Sequence, residues 1–154
     1  MEMTIETLPQ YRIAYVRQVG PYGPANIQAM EKLKGWARSK NLLTESAILF
    51  GIPQDNPETT PPETCRYDAC IVISQDVVLD DAISEGMMSG GEYAVFKVKH
   101  TAEDVQKAWA DCFPALQRKG YQMDKRPVME RYVGELVKNH LCEICVPVRP
   151  LPSL

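Results

Sequence analysis

Histidine is scarce in this chain, with 2 in 154 residues, and neither His100 nor His140 forms an evident triad with a serine or cysteine. The single Cys-x-x-Cys string, Cys142-Glu143-Ile144-Cys145, has no second pair and no ordered histidine to complete a zinc tetrahedron. On an extended strand residues three apart face opposite sides, so its two sulfurs diverge. No glycine-rich loop is present to cradle a phosphate. These absences leave no metal site, redox pair or cofactor to expect. No stretch approaches the ~20 apolar residues that cross a bilayer, and Met1 to Gln10 lacks the basic-then-apolar pattern of an export signal. The net charge of −3 gives no nucleic-acid footprint; the densest basic cluster, Arg118-Lys119 with Lys125-Arg126, brackets a turn and reads as solvated surface. An odd count of 5 cysteines fits a reducing compartment better than a disulfide framework. The expectation is a cytoplasmic protein with no membrane segment and no direct contact to nucleic acid.

What the chain does contain is a pattern written twice. Residues 11–74 run as an apolar strand, an amphipathic helix carrying Trp36, and two further apolar stretches, the last containing Cys65-Arg66-Tyr67-Asp68-Ala69-Cys70. Residues 91–148 repeat that order with Trp109 in the helix and Cys142-Glu143-Ile144-Cys145-Val146-Pro147-Val148 at the close. Asp68 and Glu143 correspond, each with a cysteine two residues on. A length of 154 residues suits one domain, spanning 1–154 and built from these two units. A duplicated strand-helix-strand-strand unit predicts a ligand groove between its halves.

Residues 11–19 read as a strand broken by Gly20-Pro21-Tyr22-Gly23-Pro24, and Pro24 suits the first turn of a helix. Ile27, Met30, Leu33, Trp36 and Ala37 recur at helical spacing. Strands are predicted at 47–52 and 67–74, separated by a loop whose Pro53, Pro57, Pro61 and Pro62 forbid regular pairing. Residues 75–90 read as a connector. The second half predicts a strand from Glu92 to Lys99, a Thr101/Asp104 capping box, and a helical stripe of Val105, Ala108, Trp109, Cys112, Phe113 and Leu116. Pro114 predicts a kink or an early end near Phe113, and Gly120 a helix stop. Strands at 127–133 and 141–148 close the unit as a hairpin. Two one-sided helices on one face of a mostly antiparallel sheet make the class α+β.

Glu130 is the candidate for chemistry. On a strand it shares a face with Val128 and Tyr132. Ile144, Val146 and Val148 share the helix-facing side of the closing strand, while Glu143 and Cys145 point the other way. A simple hairpin loop over 133–140 would bring Glu130 near Glu143. Two carboxylates there invite a raised pKa or a cation between them, or else neutralisation by Arg131, Arg66 or Arg12. Tyr15, Phe50, Tyr67, Tyr93, Phe96 and Tyr132 are rings that either line such a site, through cation–π attraction, or fill the core.

These residues resemble a known family. Gly90-Gly91-Glu92-Tyr93-Ala94, Glu130-x-Tyr132, Cys142-Glu143-x-Cys145-Val146-Pro147-Val148, and in the first half Asp55-Asn56-Pro57-Glu58 with Cys65-Arg66-Tyr67-Asp68, are similar to the bacterial small-molecule-binding domains typified by the gyrase inhibitory protein. The same domain forms the effector-binding part of AraC-type and multidrug-responsive regulators. The resemblance implies a tandem strand-helix-strand-strand fold with a groove between the halves, in which a buried glutamate matching Glu130 receives amphipathic, lipophilic cations. The ligand-binding set it implies is Glu130, Tyr132, Tyr93, Phe50, Tyr15, Glu143 and Cys145, the last standing where an aromatic is often found. No helix-turn-helix segment is expected; the chain resembles the sensor module alone. The resemblance leaves two further activities open. One is a hydrolase of strained cyclopropane compounds, with Glu130 as general base and Tyr132 or Glu143 as its partner. The other is protein interaction, with gyrase or a transcription regulator as partner.

Overall fold

The alternating stretches become strands, and the two stripes become helices that share one face of the sheet. The computed structural model describes residues 2–152. In chain order the elements are β1 (Met3–Leu8), β2 (Tyr11–Val19), α1 (Pro24–Ser39), β3 (Ile48–Pro53), β4 (Arg66–Val72), β5 (Ser84–Met88), β6 (Gly91–Lys99), α2 (Ala102–Arg118), β7 (Tyr121–Met123), β8 (Met129–Val133), α3 (Gly134–Lys138) and β9 (Leu141–Pro150). The proline-rich loop between β3 and β4 holds only a single 3-10 turn, Pro62–Thr64.

Each main helix follows from its local sequence. Pro24 opens α1, and Ala29, Met30, Leu33 and Ala37 are buried along it. The predicted cap of α2 forms: Thr101 Oγ1 accepts the Asp104 amide at 3.1 Å and donates to its carboxylate at 2.6 Å. Of the two outcomes expected at Pro114, a kink or an early end, the early end is not found: α2 continues to Arg118. The bond that Pro114 cannot make falls on the solvent side, since Ala110 and Pro114 are both exposed. The opposite stripe of Ala108, Cys112 and Leu116 is buried against the sheet and offsets the ~3 kcal/mol that an interior proline costs. Gly120, at φ 85°, ends the segment as expected. Trp36 and Trp109 are only partly buried at the margins of their helical cores.

The sheet order is β1-β6-β9-β8-β3-β4-β2-β5, with β7 added along the end of β9; every pairing is antiparallel. The order is palindromic about β8–β3, so the duplicated units meet at their central strands. Three pieces lie outside the sequence expectation: β1, β7 and α3. The supposed connector 75–90 also contributes β5. β1 pairs with β6 and β5 with β2, so they flank opposite edges. Residues 9–10 alone join β1 to β2, and residues 89–90 alone join β5 to β6. Two such short links between opposite edges require the sheet to curl until its rims meet. The links cross at Gly90, where a Cβ would lie 2.7 Å from the Leu8 carbonyl oxygen and 2.9 Å from the Gln10 nitrogen. Only glycine fits that crossing.

Curling gives the sheet two unlike faces. On the outer face, α1 covers Ala14, Leu49, Ala69 and Ile71, while α2 covers Ala94, Phe96, Ile144 and Val146. The inner face buries Ile13, Phe50, Cys70, Tyr93, Met129 and Cys145 against one another without a helix.

Candidate functional site

Between the helices the centre of the sheet is left uncovered, and β3 and β8 supply the floor. Gly51 pairs with Glu130 directly across these strands, and Leu49 with Tyr132. Gly51 and Glu130 are also repeat equivalents. Gly51 pairs with Ala69, the residue after Asp68, and Glu130 pairs with Ile144, the residue after Glu143. The pseudo-twofold therefore passes between a glycine and a glutamate. The space above Gly51 is taken by the Tyr67 ring, whose Cζ would lie 3.2 Å from a Cβ there.

The resulting groove encloses about 830 Å³, with α1 and α2 as walls and Glu130, Tyr132, Tyr67 and Leu49 on its floor. That volume falls within the range that holds drug-sized organic molecules. The Tyr132 hydroxyl donates to Glu130 Oε2, and the His100 ring packs 5.2 Å from that of Tyr132. Burial first, then the charge of Glu130, pushes the Tyr67 and Tyr132 phenols well above their ordinary range. Both stay protonated and can act as donors. Burial and the same carboxylate push the Cys142 thiol up to about 12, so it is no nucleophile at neutral pH. Among the described residues no lysine, arginine or histidine pairs with Glu130. The floor thus combines a carboxylate and its single phenol donor with aromatic and aliphatic neighbours.

Of the seven residues named from sequence, Glu130 and Tyr132 line this groove. Phe50, Tyr93 and Cys145 are buried on the inner face, where Tyr15 packs against them, so the sheet itself separates them from Glu130. Glu143 also turns inward, and the expected approach of Glu130 to Glu143 is not found. Because α3 replaces a plain hairpin loop, the register sets Arg131 opposite Glu143 and Ile144 opposite Glu130. Arg131 Nε donates to Glu143 at 2.9 Å and its far amino group reaches Glu6 at 3.1 Å. Burial opposes the Arg131 charge, yet the two carboxylates raise its pKa overall. This answers one sequence alternative, neutralisation by Arg131, for Glu143 and not for Glu130. The sulfurs of Cys142 and Cys145 fall on opposite faces as expected, and no group of metal-ligating side chains occurs among the described residues. Tyr67, one of the six rings expected either to line the site or to fill the core, joins the groove, and so do His100, Met30 and Val105, which the sequence did not mark as site residues. For Tyr67 a signal existed: it precedes Asp68 as Cys142 precedes Glu143, which puts it on the strand beside Gly51, the repeat equivalent of Glu130.

Comparison with known proteins settles the family. The GyrI-like small molecule binding domain matches residues 1–149. The chain belongs to that family. Among curated GyrI-like relatives, the SPbeta prophage-derived protein YosT of Bacillus subtilis (strain 168), named as a candidate transcriptional regulator, is 43% identical over 150 residues, covering 97% of this chain and 100% of YosT. A DNA gyrase inhibitor of Pantoea sp. (strain At-9b) is 31% identical, with 96% and 97% covered. Among solved structures, the EcmrR C-terminal domain superposes with a TM-score of 0.75 at 13% identity, covering 97% of this chain and 98% of that domain. Against EcmrR in its DNA complex the chain spans 58% of the partner's length. SAV2435 bound to tetraphenylphosphonium gives a TM-score of 0.59 at 13% identity, with 97% and 94% covered. The curled antiparallel sheet with paired helices is thus the GyrI-like fold. No helix among the described residues is long and apolar enough to cross a membrane.

Proposed function

We propose that this GyrI-like domain binds amphipathic organic cations in the groove between α1 and α2, acting as a cytoplasmic sensor module. The observation that carries the reading is Glu130, a carboxylate on the groove floor bonded by Tyr132 and left without a cationic partner. Tyr67 and Tyr132 give the cation aromatic neighbours, while Leu49 and Met30 supply apolar area to desolvate its body. The tetraphenylphosphonium held by SAV2435 is a molecule of this chemistry on the same fold.

The test is thermal unfolding with tetraphenylphosphonium. At one hundred times Kd, a ligand bound only to the folded state raises Tm by about 5–10 °C for a chain of this size. Glu130→Gln keeps an acceptor for Tyr132 and removes the charge, so most of the shift should vanish. An undiminished shift in that variant removes Glu130 from the site.

A further inference from the structure

The α1 wall of the groove carries a second charge pattern. Glu31, Lys34 and Arg38 follow at three- and four-residue spacing, so they form one stripe of the helix, and all three line the groove. The opposite wall offers Thr101, Ala102 and Val105, none of them charged. Lys34 approaches Glu31 at 3.8 Å with both side chains well exposed, a pair that restrains the lysine little. Arg38 has no ion-pair partner among the described residues. The wall therefore has an excess of positive charge with donors to spare.

Arg38 stands apart from Glu130 along the groove, with Lys34 one turn nearer to it. Tyr22, just before α1, donates its hydroxyl to the Arg66 carbonyl at 2.8 Å and accepts the Asp55 amide at 3.1 Å, which fixes the start of the helix beside the end of β3. The last turn of α1 leads through Leu42 toward the start of β3. The helix thus runs against the direction of β3, and Arg38 lies toward the Ile48–Val133 pair, whereas Glu130 lies opposite Gly51. Three strand residues separate those levels, roughly 10 Å.

We infer that the groove selects amphoteric ligands: a cationic centre seats at Glu130 and a carboxylate-class anion on the same molecule is held by Lys34 and Arg38. The inference rests on the cation reading of Glu130 and narrows it to a ligand class. A ligand that is only cationic leaves Lys34 and Arg38 unanswered, and one that is only anionic meets Glu130. Because the wall is exposed, its contribution weakens as salt screens it.

A matched dye pair tests this. Rhodamine B carries a delocalised cation and a free carboxylate; its ethyl ester keeps the cation and caps the carboxylate. By fluorescence anisotropy at low salt, the wild type should bind rhodamine B about three- to tenfold more tightly than the ester, the yield of two exposed charge pairs. In a Lys34→Gln/Arg38→Gln double variant rhodamine B should weaken to the level of the ester, with the ester itself unchanged. Glu130→Gln should weaken both dyes. Equal binding of the two dyes by the wild type overturns the inference, as does a preference that survives the double variant. So does tightening of the ester up to the parent dye, since the wall would then repel cations without holding an anion. If Glu130→Gln leaves the ester untouched while the wall preference persists, the cation reading fails and the wall stands as an anion site. Binding of neither dye ends both.

Discussion

The two halves of this domain share order, register and even their buried acids, yet they hold those acids differently and diverge at their point of contact. Asp68 and Glu143 are equivalent, and both lie on the inner face. Asp68 is gripped by Arg17, which comes from β2, one strand in from the edge, with its side chain 39% exposed. Glu143 is gripped by Arg131, which comes from the central strand β8 and is 12% exposed. One strand nearer the centre, Gly51 faces Glu130. A symmetric pair of glutamates there would set like charges directly across the strands, which a sheet does not favour. With glycine on one side, Tyr67 takes the vacant volume and Glu130 is the one acid on the groove floor among the described residues. A duplicated frame gains an unsymmetrical floor, glycine against glutamate, by being unlike at its own axis.

The largest break in this comparison should come from Arg131. Replacing it with alanine strands Glu143 in a dry environment, and a loss of about 3–5 kcal/mol is expected in urea unfolding. Arg17→Ala should cost less, about 1–3 kcal/mol, because Gln54 still donates to Asp68 at 3.0 Å and the exposed Arg17 side chain leaves water an opening. Equal losses would mean that the two acids are held alike. Next is Gly51→Ala, whose methyl group meets the buried Tyr67 ring; about 1–3 kcal/mol of overpacking is expected. Tyr67→Phe in the same chain should recover part of it, and no recovery would place the strain elsewhere.

The smallest effect lies at the rim of the first half. Arg66, by side chain and then backbone, holds the Asp55 carboxyl down at about 2. A depressed acid stabilises the fold above its unfolded value and loses that contribution as pH falls through the folded one. The Asp55–Arg66 clip should therefore weaken between about pH 4 and pH 2. Asp55→Asn should flatten that part of the Tm–pH curve, and an unchanged curve would assign the acid response to other carboxylates.

The side of the sheet on which Glu130 and Tyr132 project could be read from the sequence, because alternation along one strand is a local property. Which rings share that side could not. Phe50 and Tyr93 are strand aromatics as plausible as Tyr67, and only the pairing between strands sends them to the opposite face. The register of β8 on β9 was equally hidden, since a helical turn at Gly134–Lys138 takes the place of an ordinary loop. β1 escaped notice for another reason. Met3 to Leu8 is a half-exposed edge strand, and its short alternation of Met3 and Ile5 with Thr4 and Glu6 breaks before Leu8. The Lys34–Arg38 stripe reads in one dimension as plain helix surface and becomes a wall only once α2 stands opposite.

The crossed links also set an order of events. β1 is the first strand made and among the last to find its place, because Met3 pairs with Phe96 and Leu8 with Gly91. Until β6 has been synthesised, β2 can bond β4 and β5 but β1 has no partner strand. The first half thus emerges with a free tail that closes only on the second, and such long-range pairing slows folding. The ligand groove, whose walls come one from each half, is completed at the same late stage. A chain interrupted before β9 therefore has neither a full sheet nor a complete groove, and the molecule acquires its stability and its groove together.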